Sequence, residues 1–227
     1  MVGIIIAMDK ELAPLTEGRK TVKTEEGGKE FYRFDVDGVE CVAVKSGIGK
    51  VNAAYAATLL VRGFRPDYLV STGISGGLGR HGLLELVAAE KTVQYDVDTT
   101  ALGDPIGYVS TVNKVYFDAD ERLTDVFCKA TGAKRTVLAC GDRFVADDET
   151  KNFIVTTFDA GACDMESGAI AQIAFITGTP YVALRCISDG AGDGAEYDYE
   201  KTASNAAKIL SDALRAGIKA VETGNLV

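Results

Sequence analysis

Histidine is almost missing from this chain: His81, between Arg80 and Gly82, is the only one in 227 residues. A Ser-His-Asp triad or an imidazole metal site would have to be built around that single loop residue, so neither chemistry is expected, and no metal or cofactor is. The chain has only four prolines and no Pro-rich segment, low-complexity linker or internal repeat. One domain over residues 1–227 is therefore the economical reading, and a chain of this length buries roughly 70 to 75% of its unfolded surface. Cys41, Cys128, Cys140, Cys163 and Cys186 form no C-x-x-C pair. Their odd number, with Cys41 and Cys186 in apolar runs, argues for thiols acting as small hydrophobes in a reducing cytoplasm. Long apolar runs are lacking too. Gly3 to Met8 has no basic segment before it, is too short to span a bilayer and reads as a first strand. There is no cluster of basic residues either, and the net charge is −9. Nucleic acid and anionic membrane are thereby disfavoured as partners, and a small molecule or a protein is favoured.

What the chain does have is alternation. Strand-like apolar runs recur at Val2 to Ala7, Val39 to Val44, Tyr68 to Thr72, Leu84 to Ala89, Thr136 to Ala139 and Tyr181 to Ile187. Helical spacing marks Val51 to Arg62, Val115 to Ala130, Glu166 to Thr177 and Tyr197 to Val221, the last followed by a frayed Glu222 to Asn225 tail. Phe31 to Val36 and Val39 to Val44 flank Asp37-Gly38, the clearest hairpin signal present, so an α/β fold with a mixed sheet is expected.

Several polar residues stand where apolar strands stop, the place where ligands gather in open α/β sheets. Asp189 ends the Tyr181 to Ile187 run beside Ser188, and could equally be a local cap. Glu166, in Asp164-Met165-Glu166-Ser167-Gly168, opens a helix. Glu11 follows the first strand, where a solvated surface glutamate is the default. Phe144, in Gly141-Asp142-Arg143-Phe144-Val145, is either core or a flat surface for a ring to stack on. Two glycine-rich stretches, Ser46 to Lys50 and Gly73 to Gly79, read as turns after strands. Neither has the register of a Walker or dinucleotide loop, but both permit close backbone approach to a ligand.

Taken in order, A-M-x-x-E at Ala7, S-G-I-G-K-V-N-A-A at Ser46, T-G-x-x-G-G-L at Thr72, D-V-D-x-T at Asp96, G-D-R-F at Gly141, D-M-E-S-G-A-I-A at Asp164 and R-C-I-S-D at Arg185 resemble the 5'-methylthioadenosine/S-adenosylhomocysteine nucleosidases. The resemblance covers nearly the whole chain. It implies the nucleoside phosphorylase/hydrolase fold, a three-layer αβα sandwich around a mixed, partly barrel-like sheet, as a homodimer. It also implies hydrolysis rather than phosphorolysis, because no arginine-bearing phosphate loop precedes Arg19.

Carried over by position, the resemblance makes Asp189 the acid at adenine N7, with Ser188 beside it. Glu11 becomes the base that deprotonates water, Arg185 helps to hold that water, and Glu166 binds the ribose hydroxyls. Met165 would pack on the sugar, Phe144 on the base, and the Val145 backbone would read the base edge. Tyr199 would close over the 5' side, and Met8, Ile48 and Gly76 would complete the pocket. Two positions depart from the pattern: Ile74 stands where many relatives have a serine near the water. Leu102, in the Asp98 to Pro105 stretch expected at the subunit interface, replaces a frequent aromatic. A sibling nucleosidase acting on aminofutalosine, a phosphate-dependent phosphorylase and a non-catalytic nucleoside binder stay open as alternatives.

Overall fold

The structure is a computed structural model and describes residues 1–224. Its strands are β1 (Val2–Ile6), β2 (Val22–Glu26), β3 (Lys29–Val36), β4 (Val39–Lys45), β5 (Tyr68–Gly77), β6 (Leu86–Gln94), β7 (Tyr116–Asp118), β8 (Lys134–Cys140), β9 (Ala162–Asp164) and β10 (Tyr181–Asp189). The helices are α1 (Asp9–Thr16), α2 (Lys50–Phe64), α3 (Glu121–Thr131), α4 (Asp148–Phe158), α5 (Ser167–Thr177) and α6 (Ala195–Glu222). All strands join one sheet in the order β10-β6-β8-β9-β5-β1-β4-β3-β2, with β7 on β6. A further pairing of β10 with β5 closes five of them into a barrel.

β5 and β10 are buried along their whole length, as strands covered on both faces must be. One face carries Leu12 and Leu15 of α1, Leu123 and Phe127 of α3 and Leu210, Leu214 and Ile218 of α6. The other carries Ala53, Ala57 and Leu60 of α2 and Ala169, Ile170 and Ala174 of α5. A third cluster, with Ile154 and Phe158 of α4, closes one side of the barrel. This is the three-layer αβα arrangement. Phe127 is fully buried; such a side chain contributes about 2 to 3 kcal/mol. Gly217 lets it pack so closely, since a Cβ there would lie 2.4 Å from the Phe127 ring.

Two elements differ from the sequence reading. Val115 to Ala130 is not one helix: Tyr116–Asp118 is strand β7, paired with Lys91, Thr92 and Val93 of β6. The helix begins after Asp120, whose carboxylate accepts the Leu123 N–H as an N-cap. The aromatic pair Tyr116-Phe117 suits a half-buried strand better than a helix start. Nor is Gly73 to Gly77 a turn; it is the end of β5. The glycines leave room for neighbours, since a Cβ at Gly73 would sit 3.0 Å from Glu11 Oε1, and one at Gly76 2.8 Å from the Ala191 Cβ. At the C-terminus α6 runs to Glu222, and Asn225 of the expected frayed tail lies outside the described residues.

Candidate active site

β5 and β9 run antiparallel and share only two register pairs, Gly76–Cys163 and Gly77–Ala162. Around that overlap a cavity of about 360 Å³ is lined by residues from the ends of β1, β5, β9 and β10, the turn before α2, the loop after β8 and the start of α6. Every site residue expected from sequence except Arg185 lines it.

Glu11 is 5% exposed, not the solvated residue its composition class suggests. Its Oε2 accepts the Met8 N–H at 3.0 Å and its Oε1 the Ile74 N–H at 2.9 Å, so both oxygens are held by backbone. Burial raises its pKa, against the lowering pull of those amides and of Arg185. Ile74 thus enters the site through its amide, which anchors the glutamate, while its side chain packs in the core.

Asp189 sits where the β10–β5 register shifts, between Ile187 and Asp189. Oδ1 accepts the Ala191 N–H at 3.0 Å and Oδ2 the Ser188 hydroxyl at 2.8 Å. Burial again comes first in raising its pKa, which favours a carboxyl that still carries a proton.

Glu166 precedes α5 but does not cap it. Its Oε1 accepts the Gly49 N–H at 2.9 Å, reaching across to the turn before α2. Burial, and next the nearby Asp164 carboxylate, push its pKa up to about 7.

Arg185 is 2% exposed and lies beneath the cavity, lining a much smaller void with Glu166. Its Nε and Nη2 donate to Asp164 Oδ2 at 2.9 and 2.6 Å, and Nη2 also to Ser71 Oγ at 2.8 Å. Nη1 donates to the Ser71 and Leu184 carbonyls at 2.8 and 3.0 Å. These bonds engage all the N–H groups a guanidinium has. The water-holding role implied by resemblance is therefore not what this geometry supports: Arg185 has no donor to spare and acts on Glu11 and Glu166 through its charge. Asp164, its partner, also accepts from the Ser167 amide and hydroxyl. The sequence motif that contains Asp164 does not by itself assign it a role. Its only signal was a second carboxylate two residues before Glu166.

The mouth is built differently. Phe144 is 42% exposed, so it is a wall of the cavity rather than core. It meets Tyr199 edge-on at 5.7 Å, and Tyr199 accepts from Lys10 Nζ at 2.5 Å while its hydroxyl lies 3.6 Å from Met8 Sδ. Val145 is buried behind Phe144. Met165, Ile48, Gly76 and Ser188 also line the cavity, together with Arg143, Glu196 and Glu200, for which the sequence gives no role. Arg143 is paired with Asp147 at 2.7 Å.

The chain belongs to the phosphorylase superfamily, whose family model matches residues 1–219. Within it, the chain is 39% identical over 215 residues to the 5'-methylthioadenosine/S-adenosylhomocysteine nucleosidase of Geobacillus kaustophilus, covering 91% of each chain. It is 33% identical to the aminodeoxyfutalosine nucleosidase of Campylobacter jejuni, over 93% of this chain and 95% of that one. Among solved structures, a Streptococcus pneumoniae 5'-methylthioadenosine/S-adenosylhomocysteine nucleosidase with a transition-state inhibitor superposes with a TM-score of 0.91, at 30% identity over 97% of this chain and 99% of that one.

Proposed function

We propose that this protein is a purine nucleosidase that hydrolyses the N-glycosidic bond of 5'-methylthioadenosine and S-adenosylhomocysteine, releasing adenine. The observation that carries the reading is the set of three carboxyls lining one cavity, Glu11 and Asp189 buried and Glu166 half-buried, each with a raised pKa and a different hydrogen-bonding environment. The nucleosidases to which the chain is similar support the substrate class.

The chemistry follows from the three environments. Asp189, its pKa raised by burial, delivers a proton to adenine N7 as the C1'–N9 bond breaks and the electron pair passes to the base. Positive charge then develops on the ribose. Glu166, beside the ribose hydroxyls, opposes it as a carboxylate. Glu11, its oxygens fixed by the Met8 and Ile74 amides, takes a proton from the water that adds to C1'. Arg185 balances this acidic cluster with a charge held in place. Phe144 stacks on the base, and the Tyr199 side faces the 5' substituent.

The protein acts as a homodimer in a reducing cytoplasm. Supporting the first, Ile48, which lines the cavity, is 52% exposed, and the apolar Val51 and Leu102 are 81% and 82% exposed. Supporting the second, all five cysteines are free. Among the described residues no helix is long and apolar enough to cross a membrane. A second reading, cleavage of aminodeoxyfutalosine, rests on the Campylobacter relative.

The test is to incubate the protein with methylthioadenosine, S-adenosylhomocysteine, aminodeoxyfutalosine, adenosine and inosine, with and without phosphate, and to measure free base, with sedimentation in the same buffer. Adenine release from the two thio-nucleosides, independent of phosphate, by a sedimenting dimer is expected. A rate proportional to phosphate, or no base released from any of them, overturns the reading.

A further inference from the structure

The turn that holds Glu166 is itself held from outside the pocket. Gly49 donates its N–H to Glu166, and the next amide, that of Lys50, donates to Asp142 Oδ1 at 2.7 Å. Lys50 opens α2, whose N-cap position is Gly49 with no side-chain cap. An exposed helix start normally takes a Ser, Thr, Asp or Asn from its own sequence. Here the carboxylate comes from a residue 92 positions away. Gly49 adopts φ 96°, and a Cβ on it would lie 3.0 Å from Asp142 Oδ1, so the glycine makes the approach possible.

Asp142 is tied in turn to a third segment. Its own N–H donates to Asp96 Oδ2 at 2.9 Å, and Asp96 Oδ1 accepts from Lys50 Nζ at 2.5 Å. The three residues form a closed ring of hydrogen bonds linking the turn before α2, the loop after β6 and the loop after β8. Two residues beyond Asp142 stands Phe144, the aromatic wall of the cavity. One ring therefore fixes the donor of Glu166 at one end and the base-side loop at the other.

We propose that Asp142 is a positioning residue for this active site: by capping α2 at Lys50 it aims the Gly49 amide at the Glu166 carboxylate, with Asp96 and Lys50 holding Asp142 in place. The inference rests on the role given to Glu166 above. Losing the Gly49 bond removes a contact that favours the ionised carboxylate. Asp164 and Glu11 continue to raise the Glu166 pKa and Arg185 to lower it, and none of these is touched by a change at position 142.

The experiment is a mutant cycle on adenine release. Asp142→Ala is expected to lower kcat by about tenfold and to move the acid limb of its pH profile upward by about one unit, the worth of one hydrogen bond to a charged group. Asp142→Asn keeps an acceptor for the Lys50 amide and should return to within about threefold of wild type. Lys50→Pro, acceptable at a first helical position but lacking the N–H, should reproduce the alanine defect with Asp142 intact. In a Glu166→Gln background the Asp142→Ala effect should vanish, because the group it acts through is gone. If Asp142→Ala lowers the melting temperature but leaves kcat and the pH profile unchanged, Asp142 is only a helix cap and the proposal is overturned. Equal losses in both backgrounds overturn it as well. If Glu166→Gln alone is fully active, the fault lies instead in the reading of the site.

Discussion

The floor and the mouth of the cavity are built on opposite rules. On the floor, Glu11, Asp189 and Arg185 are almost entirely buried and every charged group is engaged by hydrogen bonds, to backbone amides and carbonyls and to buried side chains. At the mouth, Phe144 and Ile48 are exposed, and Tyr199 is positioned by contacts with Lys10, Met8 and Phe144 rather than by strand backbone. Groups whose charge must change are placed where nothing can relax around them; groups that only need to fit a ligand stand where side chains can adjust. Binding and chemistry should accordingly be separable by mutation.

The largest effect is expected at the floor. Asp189→Asn keeps the shape beside N7 but cannot deliver a proton, and Glu11→Gln can still touch water but cannot accept one, so each should cost about 10² to 10⁴ in kcat with little change in substrate affinity. Steady-state kinetics with a direct binding measurement decide it. If Asp189→Asn turns over within about threefold of wild type while melting earlier, Asp189 is a strand-end cap and the floor is structural.

A smaller effect separates the two regions by pH. Glu166 has a higher pKa in the fold, about 7, than when unfolded, near 4.5. Between those values the native state binds more protons than the unfolded chain, so stability is greatest below about pH 4.5 in this contribution and declines as pH rises toward 7. The decline is on the order of 2 to 3 kcal/mol. Melting curves of wild type and Glu166→Gln from pH 5 to 8 should converge on the acid side, with the variant gaining at neutral pH. Parallel curves would mean that Glu166 is already ionised at pH 5.

The mildest change belongs to the mouth. Phe144→Ala should raise KM by about tenfold through loss of base stacking and leave kcat nearly unchanged. A kcat collapse would join the mouth to the chemistry and dissolve the distinction.

How much of this could be read from residues alone depended on range. The strands at Val39 and Tyr181 and the Asp37-Gly38 hairpin were legible because period and turn chemistry are local. Val22–Glu26 was not, because every residue of that edge strand is exposed and it carries no apolar alternation. Helix α4 also escaped, although Asp147 caps it by accepting the Thr150 N–H. In the site, carboxylates at strand ends were visible as Glu11, Glu166 and Asp189. The Arg185–Asp164 pair was not, since it needs β9 and β10 brought together across 21 residues, and Ser71 comes from a third strand. Nor does a glycine run show by itself whether it is a turn or a strand thinned for a neighbour, as at Gly73 and Gly76.

The two-pair seam between β5 and β9 makes the barrel least stitched beside the cavity. On the proposed function, a nucleoside held by Asp189 on one side and Glu166 on the other would act there as a clasp, joining segments that the backbone leaves loosely sewn. Amide exchange at Ala162 and Cys163 should slow when the cavity fills. Unaltered exchange in the Glu11→Gln variant saturated with methylthioadenosine would show that the barrel closes without it.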